Sequence, residues 1–382
     1  MIALNRTDRS AIAQWWWTAD RWLLAMVVSL IALGVLLSMA ASPAVAERIG
    51  LEPFHFVYRQ LTFVAPALLL ILCISLLKLR DIKRLAVAIY LGGLALMILA
   101  LFFGPEIKGA HRWLNLGPLT IQPSEFVKPA FTVLAAWMMT EGQRHPENAL
   151  PSHVASALLF AMFAGVLVLQ PDFGQTLLAC IVWGALYFMA GMPYRVLFGL
   201  VGLAVAGAVL AYLFVPHVTS RIDRFVDPDQ GDTYQIERAI DAFEAGGLLG
   251  AGPAEGLVKL RLPDAHTDFI LAVVGEEYGL LGCLLIAMLF LALVIRALWK
   301  SLSCVDPFAR LASAGLAVLL GLQAVINMMV NLSLMPAKGM TLPFVSYGGS
   351  SMLALAVAVG FLIGLTRFRP APRHLRRRPW AG

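Results

Sequence analysis

Residues 280–299 read LLGCLLIAMLFLALVIRALW, and this run decides the fold. It matches the roughly 20 apolar residues a helix needs to cross about 30 Å of hydrocarbon. Comparable runs recur at about 22–41, 58–77, 85–103, 122–140, 154–170, 174–190, 196–215, 269–299, 311–335 and 351–368. Lipid offers the backbone no hydrogen-bond partner, so only helices or a closed barrel can span it. The runs are continuous rather than alternating, which selects helices. The 382 residues are 60% hydrophobic and 14% charged, whereas soluble domains carry about 25% charged residues. The sequence therefore predicts an all-α polytopic membrane protein. Its single domain, 22–368, is a bundle of ten transmembrane helices with a large outer loop, 216–267, between the seventh and eighth.

Lysine and arginine set the orientation. With the N-terminus inside, the inner segments carry 18 of them and the outer segments 10, five of those in the long outer loop. Short loops obey the positive-inside rule and long ones follow it poorly. Segment 1–21 and the basic tail 369–382 are thus both expected in the cytoplasm, the tail against anionic headgroups. Trp15, Trp16 and Trp17 suit an interfacial aromatic belt. AVAER, at 44–48, has the spacing of a signal-peptidase site, but the span before it is too long for a signal peptide and reads as a retained helix. The net charge of +6 is accounted for by topology and gives no reason to invoke nucleic acid. Cys73, Cys180, Cys283 and Cys304 show neither a pairing pattern nor metal spacing. GGLLGAGPAEG, at 246–256, lacks the Lys-Ser/Thr of a phosphate loop and reads as a flexible loop. Just before it, a surface helix is expected, with Asp232 and Gln235 in a capping box, Ile236, Ile240 and Phe243 on one face, and Gly246–Gly247 as the stop.

Four places break the lipid-soluble pattern. The first is HTDFILAVVGEEYG, 266–279, which puts Asp268, Glu276 and Glu277 at the mouth of the deciding run. Charge at such a site is costly and commonly functional. Asp268 can cap the eighth span; alternatively Thr267 caps and Asp268 faces a cavity. On a continuous helix Glu276 falls about 80° from Asp268 and Glu277 about 180°, so at most one glutamate shares its sector. The second is QPSEFVK, 122–128, where Glu125 and Lys128 are three apart and can pair; just upstream, Arg112 either anchors at the interface or binds an anionic headgroup. The third is the turn QPDFGQT, 170–176, where Asp172 reads as an ordinary turn residue. The fourth is 327–351, where Asn327 and Asn331 can bond across helices. It continues into irregular backbone bearing Lys338, Ser346 and Tyr347, of a kind tolerated where it lines a cavity or is buried. All four, with loop 216–267, emerge on the outer side, a pattern suited to a substrate with an anionic, lipid-linked head.

HRWLNLGPLTIQPSEFVK, YQIERAIDAFEAGGLLGAG, HTDFILAVVGEEYGLLG and KGMTLPFVSYGGSS together resemble the SEDS family (shape, elongation, division and sporulation), in order and over nearly the whole chain. Their wording is closer to the division branch than to the elongation branch. Leu271 and Tyr278 depart from the usual Phe and Leu, and neither is itself a charged position. The resemblance implies a ten-span peptidoglycan glycosyltransferase that polymerises lipid II at the septum of a bacterial inner membrane. Its implied partners are a class B penicillin-binding protein and other divisome membrane proteins. It implies that Asp268 is essential, that Glu125 and Lys128 are the family's ion pair, and that Arg112 and Lys338 are its basic positions. On that basis Asp268 is expected as the general base, and Arg112 and Lys338 as binders of the pyrophosphate. Glu125, Lys128, Glu276, Glu277, Ser346 and Tyr347 are expected to support the cavity. No cofactor is implied with certainty; a divalent cation could share the electrostatic work, but no metal-ligand cluster is visible. A flippase or transporter, or a non-catalytic scaffold, are the other readings. A transporter predicts internal repeats and a midplane site, whereas the charged motifs gather at the outer rim.

Overall fold

The computed structural model describes residues 10–107, 109–117, 119–145, 147, 149–214, 219–220, 223, 234–336 and 339–367. Asp232, Lys338 and the tail 369–382 therefore lie outside the described residues, as does the first half of the N-terminal segment.

A short amphipathic helix, α1 (Ala11–Thr18), carries the tryptophans. Trp15 turns inward and donates to Ser75 Oγ at 2.7 Å, while Trp16 and Trp17 stay exposed. The bundle follows as α2 (Arg21–Arg48), α3 (His55–Leu76), α4 (Leu79–Phe103), α5 (Pro123–Arg144), α6 (Ala149–Leu169), α7 (Phe173–Met189) and α8 (Tyr194–Phe214). After the outer helix α9 (Tyr234–Gly246) come α10 (Ile270–Leu302), α11 (Pro307–Asn331) and α12 (Gly349–Thr366). Each of the ten expected spans thus holds a helix, and eight of these are long and apolar enough to cross a membrane. The other two are α7, with 17 residues, and α5, which carries the Glu125–Lys128 pair. Packing is layered around α12, whose residues are buried on nearly every side, with α3, α5 and α11 against it. None of the described side chains of α8 is buried; it packs chiefly along α7.

The ends differ from the sequence expectation for physical reasons. Helix α2 runs through Pro43 to Arg48, beyond the apolar run, and α4 begins at Leu79 because charged residues at an interface continue a helix as readily as apolar ones do. Between α4 and α5 the chain makes an unforeseen hairpin, β1 (Leu114–Leu116) with β2 (Leu119–Ile121), pairing Leu114 with Ile121. Its turn uses Gly117 at φ 67°.

The deciding run is not one straight helix. Gly279 breaks α10 at φ 64°, ψ −163°, leaving a segment 270–278 and a separate long span. The carbonyls of Glu276 and Glu277 freed by the break accept from the N–H of Ala251 (2.8 Å) and Gly252 (3.1 Å). On the other side, the N–H of Leu280 donates to the Gly247 carbonyl at 3.0 Å. The glycine-rich stretch expected as a loose loop is therefore a clasp laid into a broken helix. Helix α9 packs beside it through Ala239, Ala242 and Gly246, with Phe243 against Gly275, and Ile240 is exposed. Small residues win that face because the two backbones approach too closely for a branched side chain.

Candidate functional site

A cavity of about 500 Å³ opens at the end of the bundle that bears the long loop. Its wall is drawn from the starts of four helices: Phe56 and Arg59 of α3, Gln122 and Glu125 at α5, Asp268 and Phe269 at α10, and Gly348 to Ser351 at α12. Arg112, Trp113 and Thr120 come from the hairpin region, Gln235 from α9, and Gly339 to Thr341 from the loop after α11. The elements singled out in the sequence thus converge, and Tyr347 lines the same space.

Asp268 does not cap α10. The cap position is Phe269, which makes no side-chain cap bond, and Thr267 donates instead to the Asp264 carbonyl at 3.2 Å. Two amides from α11 do the work a cap would do. Asn331 Oδ1 accepts from the first-turn N–H of Ala272 at 3.2 Å. Its Nδ2 donates to the Asp268 carbonyl at 2.8 Å, as does Asn327 Nδ2 at 2.9 Å. Asn327 also reaches the Met340 carbonyl at 2.6 Å, tying this turn to the loop that precedes α12. The backbone of Asp268 is fixed, and the residue lines the cavity. That carboxylate lies beside Gly339, where a Cβ would stand 3.5 Å from Oδ2.

Glu125 and Lys128 form a buried pair at 2.9 Å on the first turns of α5. Gln175 of α7 donates to the same Glu125 oxygen at 2.9 Å, and Lys128 lies 3.4 Å from Gln323 Oε1. Gln323 in turn donates to the Thr341 carbonyl at 3.4 Å. Glu125 touches the cavity, so the pair joins α5, α7 and α11 behind one wall. Arg112 is largely engaged: it donates to the carbonyls of Gln170 (3.1 Å) and Pro171 and lies 3.6 Å from Asp172. Asp172 is therefore more than a turn residue. It caps α7 and is buried, and that burial pushes its carboxyl above the usual range against the pull of Arg112.

Three expected supports lie elsewhere. Glu276 and Glu277 do not line the cavity. Glu276 accepts from the N–H groups of Val258 (2.6 Å) and Lys259 (2.8 Å), and Glu277 pairs with Lys259 Nζ. The helical angle from Asp268 does not apply, because Asp268 precedes the helix and both glutamates turn toward the clasp. Ser346 is buried and accepts from the Leu342 N–H at 2.9 Å, away from the cavity. Sequence reasoning missed Arg59, Gln122, Gln175, Gln323 and Ser350. Only polarity within apolar runs could have flagged them.

His266 stacks on Phe56 at 4.2 Å and lies 5.3 Å from Tyr347, behind the Asp268 turn. Burial holds its imidazole down at about 4, with a smaller push in the same direction from Arg48 and an opposing pull from Asp264. Among the described residues its Nδ1 has no hydrogen-bond partner.

Fold and site together define a multi-pass membrane protein with a polar, charge-bearing cavity at one end of its helix bundle. Comparison with known proteins specifies the family. The FtsW, RodA and SpoVE family model, described as "cell cycle protein", matches residues 21–370. A Caulobacter vibrioides protein named probable peptidoglycan glycosyltransferase FtsW is 49% identical over 369 residues, 96% of this chain and 94% of its own length. A protein of the same name from Hydrogenovibrio crunogenus is 35% identical over 355 residues, 91% of each. Among solved structures, the Thermus thermophilus rod shape determining protein RodA superposes with a TM-score of 0.67 at 30% identity, covering 92% of this chain and 98% of its own. A chain from a peptidoglycan synthase complex, described as coordinating polymerization and crosslinking, superposes with a TM-score of 0.76 at 30% identity, covering 91% and 97%. The chain belongs to the FtsW/RodA/SpoVE family, the SEDS family that its motifs resemble.

Proposed function

We propose that the protein is a peptidoglycan glycosyltransferase of the division branch, polymerising lipid II into glycan strands. The observation that carries the reading is Asp268, relieved of helix capping by Asn331 and opening onto a cavity it shares with Arg112 and Arg59. The reaction joins the C4 hydroxyl of one lipid-linked disaccharide to the anomeric carbon of another and expels polyprenyl pyrophosphate. The donor is α-linked and the product β-linked, so one inverting displacement suffices. Asp268 takes the hydroxyl proton. Arg112 at the cavity, together with Lys338, the other basic position that the family resemblance implies, steadies the diphosphate as its charge develops, the kind of term that commonly contributes most. Because carbonyls and Asp172 already occupy much of Arg112, it also braces the wall. Glu125 and Lys128 fix the cavity's shape.

Among the described residues no three His, Cys, Asp or Glu side chains cluster as a cation cage. Glu125 is already committed to Lys128 and Gln175, so no divalent site is assembled among the described residues and no step is assigned to a cation. The partner class fits the reading, since one structural relative is a synthase complex that couples polymerization to crosslinking. A class B penicillin-binding protein, placement in the inner membrane at the septum with both termini inside, and further divisome contacts belong to the same proposal.

The test is glycan growth from lipid II by purified Asp268→Asn and Asp268→Ala with the partner present. A positioned base contributes about 10²–10⁴-fold, so losses in that range are expected, and near-wild-type polymer from both would remove Asp268 from the chemistry. Polymer made in detergent also separates this enzyme from a flippase, which needs two leaflets to act on.

A further inference from the structure

The long span beyond Gly279 supplies a depth scale. Its inner end is marked by Lys300, which lies 3.0 Å from Asp20 at the start of α2. From Trp299 back to Leu280 the helix rises about 30 Å, the thickness of the hydrocarbon. Leu280 therefore stands at the hydrocarbon edge on the cavity side, and any tilt of the helix carries it deeper. Leu280, Leu281, Leu284, Leu285 and Met288 recur at helical spacing and are all exposed, which makes this the lipid face of α10.

The corner Gly247–Leu248–Leu249–Gly250 sits at the same level. The Leu280 N–H donates to the Gly247 carbonyl at 3.0 Å, and the Leu281 N–H to the Leu248 carbonyl at 3.3 Å. From the other side, the N–H of Gly247 donates to Phe243 at 3.1 Å and that of Gly250 to Gly246 at 2.7 Å. Gly247 and Gly250 both have positive φ, 54° and 86°, a turn that glycine makes without strain. The backbone of the corner is thus pinned, yet its two side chains pack against little: Leu248 is 69% and Leu249 77% exposed. Through Leu280 and Leu281 the pair is continuous with the lipid face of α10. The first charge beyond the corner is Glu255, which is exposed. The chain reaches it only after Ala251 and Gly252 have bonded to the Glu276 and Glu277 carbonyls, one turn nearer the cavity.

We propose that Leu248 and Leu249 insert between the acyl chains of the leaflet at the cavity end and anchor the clasp to the bilayer. Acyl chains at the pair extend a contact that α10 already makes, whereas water would leave a rigidly presented apolar surface solvated. The corner then holds the strap at a fixed depth. In the orientation proposed above this is the outer leaflet; the insertion depends neither on that orientation nor on the proposed activity.

The experiment replaces Leu249 of the full-length protein by the photoreactive residue p-benzoylphenylalanine, with the same replacement at Leu281 as a lipid-facing reference and at Glu255 as an aqueous one. Each protein is irradiated in native membranes and in nanodiscs of phosphatidylethanolamine and phosphatidylglycerol, and adducts are read by mass spectrometry. Phospholipid adducts are expected at position 249 in both settings, at a yield close to that at 281. That yield should exceed the one at 255 at least about tenfold, the occupancy ratio implied by transfer of a leucine into hydrocarbon. A yield at 249 as low as at 255 overturns the insertion. A polypeptide adduct at 249 in native membranes, in place of lipid, overturns it in favour of a protein partner. The unsubstituted protein supplies the control for folding, in nanodiscs that contain a phosphatidylglycerol with a diazirine on one acyl chain. Labelling of the peptide that carries Leu248 and Leu249, alongside Leu281 and Leu285, supports the anchor; labelling confined to α10 overturns it.

Discussion

The two ends of the bundle use the same charged residue types to opposite effect. At the inner end, Asp20 caps α2, accepts from Arg296 at 3.2 and 2.8 Å, and lies 3.0 Å from Lys300. Asp306 caps α11 and pairs with Arg144 at 2.8 Å, while Arg367 donates to the Ser75 carbonyl at 3.1 Å. Each of these charges is spent on closing a helix start or clamping two helices. At the outer end, α3, α5, α10 and α12 start around the cavity, and none is capped by its own side chain. Four bare helix starts concentrate positive potential in one space. The inner end trades its polar groups for stability; the outer end keeps them available to a ligand.

The largest effect expected from breaking this contrast is the loss of glycan growth in Asp268→Asn, about 10²–10⁴-fold with little change in melting temperature. Next comes the wall behind the cavity. Lys128→Met leaves Glu125 buried without its cation and is expected to cost about 3–5 kcal/mol. The Glu125→Gln, Lys128→Met double variant should recover much of that in thermal or denaturant unfolding. His266 provides a pH-dependent signal. Its folded value of about 4 lies below the ordinary 6.5, so the unfolded chain takes the proton first. Its contribution is therefore present above pH 6.5 and lost as pH falls toward 4, by about 3 kcal/mol at 1.36 kcal/mol per unit. His266→Phe should flatten that limb of a stability–pH curve. The smallest effects belong to the inner end. Arg144 and Asp306 are more than a third exposed, so Asp306→Ser, which keeps a cap, should cost at most about 1 kcal/mol. Glycan growth per folded molecule should not change; a large loss there would erase the distinction between the two ends.

Much of the fold was legible because hydropathy acts over some twenty residues at a time, and the ten apolar runs each became a helix. Boundaries were less legible, since charged residues near an interface lengthen α2 and α4 without any apolar signal. The break at Gly279 escaped notice because a glycine within an apolar run is usually tolerated, and only the incoming 247–252 backbone makes it a hinge point. Within the site, Asp268, Glu125 and Lys128 stood out because charge in an apolar context is rare. Arg59 and Ser350 did not, since one Arg near an interface and one Ser beside glycines are ordinary. Their significance comes from the helix starts gathered around them, which local sequence does not encode. Glu276 and Glu277 stood out for the same reason as Asp268 and proved to be fasteners: a rare charge marks a constraint without saying which kind.

The clasp at Gly279 has a mechanical consequence. Glu276 and Glu277 hold the 251–259 strap by backbone and side chain at once, and the short segment 270–278 links that strap to Asp268 over about 13 Å of helix. A rigid rod with one tip in the strap and the other at the acid cannot shift at one end alone. Whatever leans on the strap will be felt at the carboxylate, as a push on one arm of a lever.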